Sequence, residues 1–396
     1  MQLQVKSVLV ALVTILSCAC IAPSVSDTTA APTTSPPPTT ALVTSGSPSA
    51  SAPPAAYRVL PVPGSAASSP DGRWFVAQGQ RDGSPLQLFT IDGIPVREFD
   101  AGRFWAWLPD SSGLFVALEV PQRAPPLAIL ELNGRVTKTD LQLSGQMLSR
   151  DGQLIVAQHQ EGCCVAIIQR ELRVARRDGS GTRTLVTSTV TSETTPVTLL
   201  GIDSADRAVY RDGTNIMRIP LAGGSPARLA TSPDYARLPN GSTSPDGNAI
   251  LTMPVRGGGW HIIANDRVAP WDDTLGVIVD DLSPFPFKYG FAPVWLGPHS
   301  FLVRDPDSVS LSTFDAITAT RTKQGAQLAP ADMVLAVQRE TVLVVRGGFV
   351  VLLDLRTGAV RDIGIDLRPS SEAAHGAALP TSGFVVSSPA GTFRID

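Results

Sequence analysis

The stretch that decides the fold is Ser69-Pro70-Asp71-Gly72, followed by the apolar run Trp74-Phe75-Val76-Ala77. It returns as Ser244-Pro245-Asp246-Gly247 before Ala249-Ile250-Leu251. The serine oxygen can hold the backbone, proline fixes φ at the second turn position, and Asp-Gly accepts the bridge and left-handed conformations that close a turn. Each copy therefore predicts a tight turn that leads into a β-strand.

Weaker copies of this turn, each followed by an apolar run, recur about every 40 residues. They lie at 109–113, 149–152, 203–207, 296–300, 338–340 and 380–383, which makes eight turns with the two full copies. Most units carry a second turn, at Asp92-Gly93, Asn133-Gly134, Asp178-Gly179, Gly223-Gly224 and Thr357-Gly358. Two hairpin turns per unit predict four antiparallel strands, which is one blade of a β-propeller.

The array resembles the TolB-type propeller repeat, a relative of the WD repeat, in which Ser-Pro-Asp-Gly joins the first and second strands of a blade. The resemblance covers residues 57–396 and implies an all-β fold. We expect eight blades, with seven as the alternative and a pair of β-sandwiches as the competing architecture. The final unit has room for only two strands after its turn. Residues 57–62 are therefore expected to supply a missing strand, so that strands from both termini close the ring.

The N-terminus predicts export and anchoring. Residues 1–21 form a secretory signal that is too short to span about 30 Å of hydrocarbon comfortably. Ile15-Leu16-Ser17-Cys18 resembles the lipobox of bacterial lipoproteins, which implies a lipid on Cys18, with Cys20 as the alternative. An ordinary signal peptide or an uncleaved anchor are the competing interpretations. The protein is expected in the cell envelope, held at the outer face of the cytoplasmic membrane.

Residues 22–56 are almost entirely Ala, Thr, Ser, Pro and Val. Such a segment has little to bury, so we expect a disordered tether, with a reach on the order of 100 Å. The propeller is then the only folded domain, over residues 57–396.

Composition excludes several classes of function. A net charge of −3 without a basic cluster argues against nucleic acid as a partner.

Cys163 and Cys164 are adjacent, and we expect them to be buried small residues or a strained disulfide. The sequence contains no Gly-x-Ser-x-Gly elbow, phosphate loop or His-Glu-x-x-His motif. We therefore expect no cofactor.

The candidate binding site is the segment 271–291, which concentrates aromatic residues and two Asp-Asp pairs. We predict a recognition loop on the face formed by the connections after the second and fourth strands of each blade. Alternatively, the aromatic residues pack beneath the loop, and 276–279 is an outer blade strand. A Ca²⁺ site on the carboxylates is a weaker interpretation than solvated carboxylates. The predicted binding residues are Trp271, Asp272, Asp273, Asp280, Asp281, Phe285, Phe287 and Tyr289.

The four histidines do not have metal-ligand spacing. We expect His159, His261 and His375 towards the loop-bearing face and His299 in a turn on the opposite face, all with structural roles and without a metal. The sequence thus predicts a monomeric binding or scaffolding module for envelope protein partners. The alternative is a lyase or hydrolase acting on envelope carbohydrate through carboxylates and histidines at the channel mouth.

Overall fold

The computed structural model describes residues 57–396 apart from 63–64, 79–83, 101, 109, 119–125, 143–144, 146, 162–168, 190–196, 239, 254–258, 282–291, 307–308, 369–373 and 380–381. All described residues belong to one compact unit, Pro54–Asp396. The candidate lipidation sites Cys18 and Cys20, the predicted tether and the Cys163-Cys164 pair lie outside the described residues. In the part of the chain that is described, no helix has both the length and the apolar character needed to cross a membrane.

The chain folds almost entirely into short strands separated by turns. The first seventeen are β1 (Arg58–Leu60), β2 (Ser65–Ser68), β3 (Trp74–Gln78), β4 (Leu86–Thr90), β5 (Pro95–Phe99), β6 (Arg103–Trp107), β7 (Gly113–Ala117), β8 (Pro126–Glu131), β9 (Val136–Gln142), β10 (Met147–Leu148), β11 (Leu154–Glu161), β12 (Gln169–Arg176), β13 (Arg183–Thr189), β14 (Thr198–Ile202), β15 (Arg207–Asp212), β16 (Asn215–Pro220) and β17 (Ala227–Thr231).

The remaining strands are β18 (Asn240–Thr243), β19 (Ala249–Met253), β20 (His261–Ala264), β21 (Arg267–Pro270), β22 (Val277–Ile278), β23 (Asp280–Asp281), β24 (Ala292–Pro293), β25 (Ser300–Arg304), β26 (Ser310–Asp315), β27 (Thr320–Gln327), β28 (Met333–Gln338), β29 (Thr341–Arg346), β30 (Phe349–Asp354), β31 (Val360–Asp366), β32 (His375–Ala378), β33 (Phe384–Ser388) and β34 (Gly391–Ile395). Two short 3₁₀ helices, η1 (Pro233–Arg237) and η2 (Asp273–Leu275), interrupt the series.

The described strands form eight sheets, and each sheet is one blade. Blades 1 to 5 follow chain order, with four strands each from β2 to β21. Blade 6 contains β22 and β25–β27, and blade 8 contains β32–β34 together with β1. Blade 7 contains β28–β31, and its sheet also includes β23 and β24. The predicted eight-bladed propeller is therefore confirmed.

The hydrophobic core is divided into eight clusters, each lying between two neighbouring blades. The series is closed, because Leu60, Phe75 and Val385 pack together and join blade 8 to blade 1. First strands contact one another around the ring, as β14 contacts β18, whereas outer strands such as β5 are mostly exposed. Each buried large apolar side chain stabilises the fold by about 1.5 to 3 kcal/mol. Packing between blades thus holds the first strands around the ring centre.

Ring closure uses the N-terminal strand. The pairing of β1 with β34 is antiparallel and matches Arg58 with Arg394, and Leu60 with Thr392. β1 is therefore the fourth, outermost strand of blade 8, which its own C-terminal strands leave incomplete. The predicted closure by strands from both termini is confirmed.

The Ser-Pro-Asp-Gly turns are held by their own side chains. Ser69 Oγ donates to Asp71 Oδ1 at 2.6 Å and accepts from the Trp74 amide at 3.0 Å. Gly72 takes the left-handed φ of 64° that closes the turn. Equivalent bonds form at Ser149 and at Ser244. All eight predicted first turns lead into the second strand of a blade, and the five second turns join third to fourth strands.

These turns also connect neighbouring blades. The Asp71 amide donates to Ser111 Oγ of blade 2 at 2.9 Å, and the Ser204 amide of blade 4 donates to the Gly247 carbonyl of blade 5 at 2.9 Å. Connections from first to second and from third to fourth strands share one side of the ring, which we call the turn face. The other connections lie on the opposite side, the loop face.

Candidate functional site

The predicted recognition segment begins with a buried residue. Trp271 is only 6% exposed, and its ring packs against Phe301 and Phe314 with centroid distances of 5.6 and 4.9 Å. Its indole Nε1 donates to the Gly276 carbonyl at 2.8 Å. Trp271 therefore belongs to the core between blades 5 and 6, as the alternative interpretation of the aromatic residues describes, and not to an exposed surface.

The Asp272-Asp273 pair forms the exposed start of η2. Asp272 Oδ1 accepts from the amide and the hydroxyl of Thr274, at 2.9 and 2.6 Å. These hydrogen bonds, the side-chain bond foremost, lower the pKa of Asp272. Asp272 is thus an N-cap that stays ionised, and Asp273 is also exposed in the first turn. The connection follows a fourth strand, which places both residues at the loop face.

The first strand of blade 6 is interrupted. β22 pairs with the end of β25, matching Val277 with Arg304. The strand pairing with β25 resumes after the interruption. The Val294 amide donates to the Val279 carbonyl, and the Leu302 amide donates to the Val294 carbonyl, each at 3.0 Å. Residues 276–279, for which an outer strand was the alternative, thus contribute to the innermost strand position. The outer-strand alternative is wrong.

The chain between Val279 and Val294 leaves blade 6 and pairs with blade 7. Residues 280–293 form an insertion between Val279 and Val294, and β23 and β24 pair antiparallel as its base. Asp281 pairs in parallel with Val334 of β28. Since β28 is the first strand of blade 7, β23 and β24 extend that sheet towards the ring centre. β24 also contacts β18 of blade 5, and Trp295 Nε1 donates to Ser242 Oγ in β18 at 3.1 Å. The base of the insertion is therefore surrounded by the inner strands of blades 5, 6 and 7.

The other predicted binding residues are placed only in part. The backbones of Asp280 and Asp281 form β23, and their side chains are not described. Phe285, Phe287 and Tyr289 lie outside the described residues. The structure therefore brings Asp272, Asp273 and the base of the insertion to blades 5 to 7, whereas Trp271 supports them from the core.

An apolar groove of about 550 Å³ lies beside Trp271. One wall comes from β20 and β21 of blade 5, and the other from the end of β26 and the following turn of blade 6. Arg267 and Asp272 border the groove. An apolar floor with a charged rim is typical of a protein contact surface. The apolar lining includes Ile262, Pro270, Trp271, Leu275, Phe314 and Ile317.

The histidines that were expected towards the loop face lie in three different blades. His159 is in β11, His261 in β20 and His375 in β32, each in the half of its strand nearer the loop face. Burial lowers the pKa of His375 to about 4, and burial also lowers the pKa of His261. Within the described ranges, no three His, Cys, Asp or Glu side chains are grouped as metal ligands would be.

His299 forms a cluster that the sequence did not predict, although its turn-face position was expected. Its Nδ1 lies 2.8 Å from Asp246 Oδ2, and its Nε2 lies 3.3 Å from Asp315 Oδ2. The hydrogen bond to Asp246 raises the pKa of His299, and the nearby charge of Asp315 adds to this. Burial raises the pKa of Asp246, but bonds from His299 and Ser244 outweigh burial and place it well below its usual range.

We expect this cluster to make stability depend on pH. The folded-state pKa of His299 exceeds the unfolded value of about 6.5, so its ionic contribution is complete below about pH 6.5. That contribution is lost as pH rises through the raised pKa. The melting temperature of wild type relative to His299→Gln should therefore be highest near about pH 6 and should fall towards about pH 9. Thermal unfolding across this range measures the difference.

The Asp246→Asn background provides the control for this prediction. Without the Asp246 charge, the pKa of His299 is raised less, so the pH dependence of the His299→Gln effect should weaken. A difference between wild type and His299→Gln that stays constant from acid to alkaline pH would contradict an ionic role of His299.

Comparisons with known proteins support the propeller fold but do not support a specific function. No protein-family model matches the chain, and no curated protein sequence matches it. The chain is similar to a solved eukaryotic initiation factor, with 11% identity, a TM-score of 0.50, and coverage of 86% of this chain and 89% of that chain. At this identity, the likeness extends to the fold alone.

Two further solved structures match more weakly. The dihydro-heme d1 dehydrogenase NirN has 16% identity and a TM-score of 0.49, with coverage of 83% of this chain and 71% of that chain. A putative TolB from Agrobacterium tumefaciens has 17% identity and a TM-score of 0.34, with coverage of 68% of this chain and 83% of that chain. We draw no argument about function from either likeness.

Proposed function

We propose that the protein is an extracytoplasmic, lipid-anchored propeller that binds or scaffolds an envelope protein partner through the loop face at blades 5 to 7. The observation that carries this proposal is the insertion into the first strand of blade 6. The blade closes across the insertion through the backbone bond between Val294 and Val279. The ring therefore does not need the inserted residues to complete the blade.

The position of the insertion suits recognition. Its base pairs with the inner strand of blade 7 and contacts the inner strand of blade 5, so it is held by ordered elements. Segments carried on a rigid scaffold commonly bind partners, and long insertions cost little additional closure entropy. The exposed Asp272 and Asp273 precede the insertion in the chain, and the apolar groove beside Trp271 runs along the outer strands of blades 5 and 6. Together they supply an apolar contact area with an acidic border.

The N-terminal sequence supports the proposed anchor. A lipid on Cys18, or on Cys20, would hold the tether of residues 22–56 at the membrane, and the propeller would sample partners within reach of that tether. We expect the double variant Cys18→Ala, Cys20→Ala to lose incorporation of labelled palmitate in cells and to leave the membrane fraction. Palmitate labelling that persists in the double variant would contradict lipidation at either cysteine.

The binding proposal is tested by affinity capture from lightly crosslinked, detergent-solubilised native membranes. In the test variant, a short Gly-Ser turn replaces residues 282–291, which leaves β22, β23 and β24 intact. A second variant, with residues 119–125 between β7 and β8 of blade 2 replaced by a Gly-Ser segment of equal length, serves as the matched control. We expect one partner protein to be recovered with wild type and the control, and to be lost from the test variant.

Folding must be equal in all three proteins, which thermal unfolding establishes. Recovery of the same proteins with and without residues 282–291 would contradict recognition by the insertion. In that case, turnover of envelope polysaccharides by the purified protein would test the alternative of a carbohydrate-active enzyme.

A further inference from the structure

A second cavity opens on the turn face. It has a volume of about 570 Å³ and lies among blades 4, 5 and 6. Its polar lining consists of two arginines, two aspartates, a histidine and three neutral residues: Arg207, Arg218, Asp203, Asp266, His299, Ser204, Asn248 and Asn265. We call this cavity the turn-face cleft.

Two guanidinium groups of blade 4 share one carboxylate of blade 5. Arg218 Nη1 forms an ion pair with Asp266 Oδ1, and Arg207 Nη2 lies 3.7 Å from the same oxygen. Arg207 is also fixed by Asp203, whose Oδ2 lies 2.7 Å from its Nε. The arginine side chains are 29% and 21% exposed, whereas Asp266 is 63% exposed. The two cations are thus built into the wall, and the carboxylate approaches them from solvent.

The conformation of Asp266 accommodates an aspartate but does not require its charge, because asparagine tolerates left-handed φ equally. Asn265 and Asp266 form the turn between β20 and β21, with φ of 51° and 58°. Glycine is the residue that such a turn prefers, because it adopts left-handed φ without steric cost. Asn265 Nδ2 already fixes the turn to blade 6 by donating to the Ile317 carbonyl at 3.0 Å. The acidic group of Asp266 therefore acts mainly through its contact with the two arginines.

The remaining walls of the turn-face cleft are aliphatic. They come from Val209, Leu229, Ile250, Ile263 and Ile317, and the described lining contains no Phe, Tyr or Trp. Paired arginines are the groups that recognise acidic motifs in peptides, because their planar donors match carboxylate oxygens. Aliphatic walls next to them suit an aliphatic side chain adjacent to the acidic one.

We propose that the turn-face cleft binds an acidic peptide segment, whose carboxylate replaces Asp266 on Arg207 and Arg218. Asp266 then occupies the anion position in the unbound protein and competes with the incoming ligand. The energetic consequence is that removing the charge of Asp266 strengthens binding, whereas removing either arginine weakens it. The turn-face cleft shares no described residue with the insertion, although it shares Ala264, Asn265 and Ile317 with the apolar groove beside Trp271.

The test measures binding of a defined probe, acetyl-Leu-Glu-Leu-Glu-Leu-Glu-amide, to the full chain at low ionic strength. The corresponding peptide with Gln in place of Glu, and an oligosaccharide of uronic acids, are the comparison ligands. Asp266→Asn keeps the left-handed turn, because asparagine tolerates it, and removes the charge. Arg218→Gln removes one cation, and Arg361→Gln, at an exposed position of β31, is the matched control.

We expect Asp266→Asn to bind the Glu peptide about tenfold more tightly than wild type, and Arg218→Gln to bind it about tenfold more weakly. Arg361→Gln should bind as wild type does, and the Gln peptide should bind none of the proteins measurably. If Arg218→Gln fails to fold, Arg218→Lys and the Asp266→Asn comparison still decide the outcome.

Three results would overturn the proposal. The first is an unchanged affinity of Asp266→Asn for the Glu peptide. The second is equal loss of affinity in Arg218→Gln and Arg361→Gln, which would indicate nonspecific attraction. The third is binding of the uronic acid oligosaccharide without binding of the peptide, which would assign the turn-face cleft to acidic carbohydrate. None of these results bears on residues 282–291.

Discussion

Deletion of residues 57–62 is expected to lower the free energy of unfolding by about 5 kcal/mol and to produce an open, aggregating ring. Leu60 and Val62 are 5% and 4% exposed, and burying each large aliphatic side chain stabilises the fold by about 1.5 to 3 kcal/mol. The deletion also leaves β34 as an uncovered edge, which invites pairing with other molecules. Because domains are typically stable by only about 5 to 15 kcal/mol, the loss is severe.

Thermal unfolding and gel filtration measure this effect, with a deletion of residues 22–56 as the control. That control removes the predicted tether and leaves β1 in place, so its melting temperature should match wild type. A milder pair of variants separates packing from deletion artefacts. Leu60→Ala should cost about 2 to 5 kcal/mol, whereas Val59→Ala, at a position 66% exposed on the same strand, should cost less than about 0.5 kcal/mol. Equal stability of these two variants would contradict closure of the ring by β1.

Trp271→Ala is expected to cost about 3 to 5 kcal/mol of stability, because it empties the space beside Phe301 and Phe314 in the core between blades 5 and 6. Trp271→Phe keeps an aromatic ring and removes the hydrogen bond to the Gly276 carbonyl, so a smaller loss is expected, with about 1 kcal/mol from the hydrogen bond. Urea unfolding of both variants measures the difference.

An exposed apolar position provides the control for Trp271. Ile94 is 61% exposed in a turn of blade 1, and Ile94→Ala should change stability by less than about 0.5 kcal/mol. If Trp271→Ala unfolded like wild type and lost only a binding partner, the placement of Trp271 in the core would be wrong. The same measurement therefore separates the two roles that the sequence left open for this residue.

The parts of the fold that depend on local chemistry were predictable. The turn at Ser69 is specified by four consecutive residues, of which Ser69 and Asp71 bind the backbone through their side chains. The copies at Ser149 and Ser244 form the same bonds. Two turns per unit then fix the four-stranded blade. Closure by β1 was also predictable, because the last unit is short of strands and an apolar stretch precedes the first turn.

The parts that depend on distant partners were not predictable. Whether Trp271 is exposed or buried is decided by Phe301 and Phe314, which arrive 30 or more residues later in the chain. The parallel pairing of Asp281 with Val334 joins two blades across a similar separation. The two acidic partners of His299 likewise come from different blades, Asp246 from blade 5 and Asp315 from blade 6. The residue types alone do not predict such contacts between residues that are distant in the sequence.

The pairing of β1 also determines where the folded ring can be attached. Outer strands run from the turn face to the loop face, so the chain enters β1 on the turn face. Arg58 at that end lies 3.4 Å from the C-terminal residue Asp396 and 3.3 Å from Asp92 in a turn of blade 1. Both ends of the described chain therefore share one corner of the ring. A handle, reporter or surface linkage fused to either end leaves the whole opposite face unobstructed.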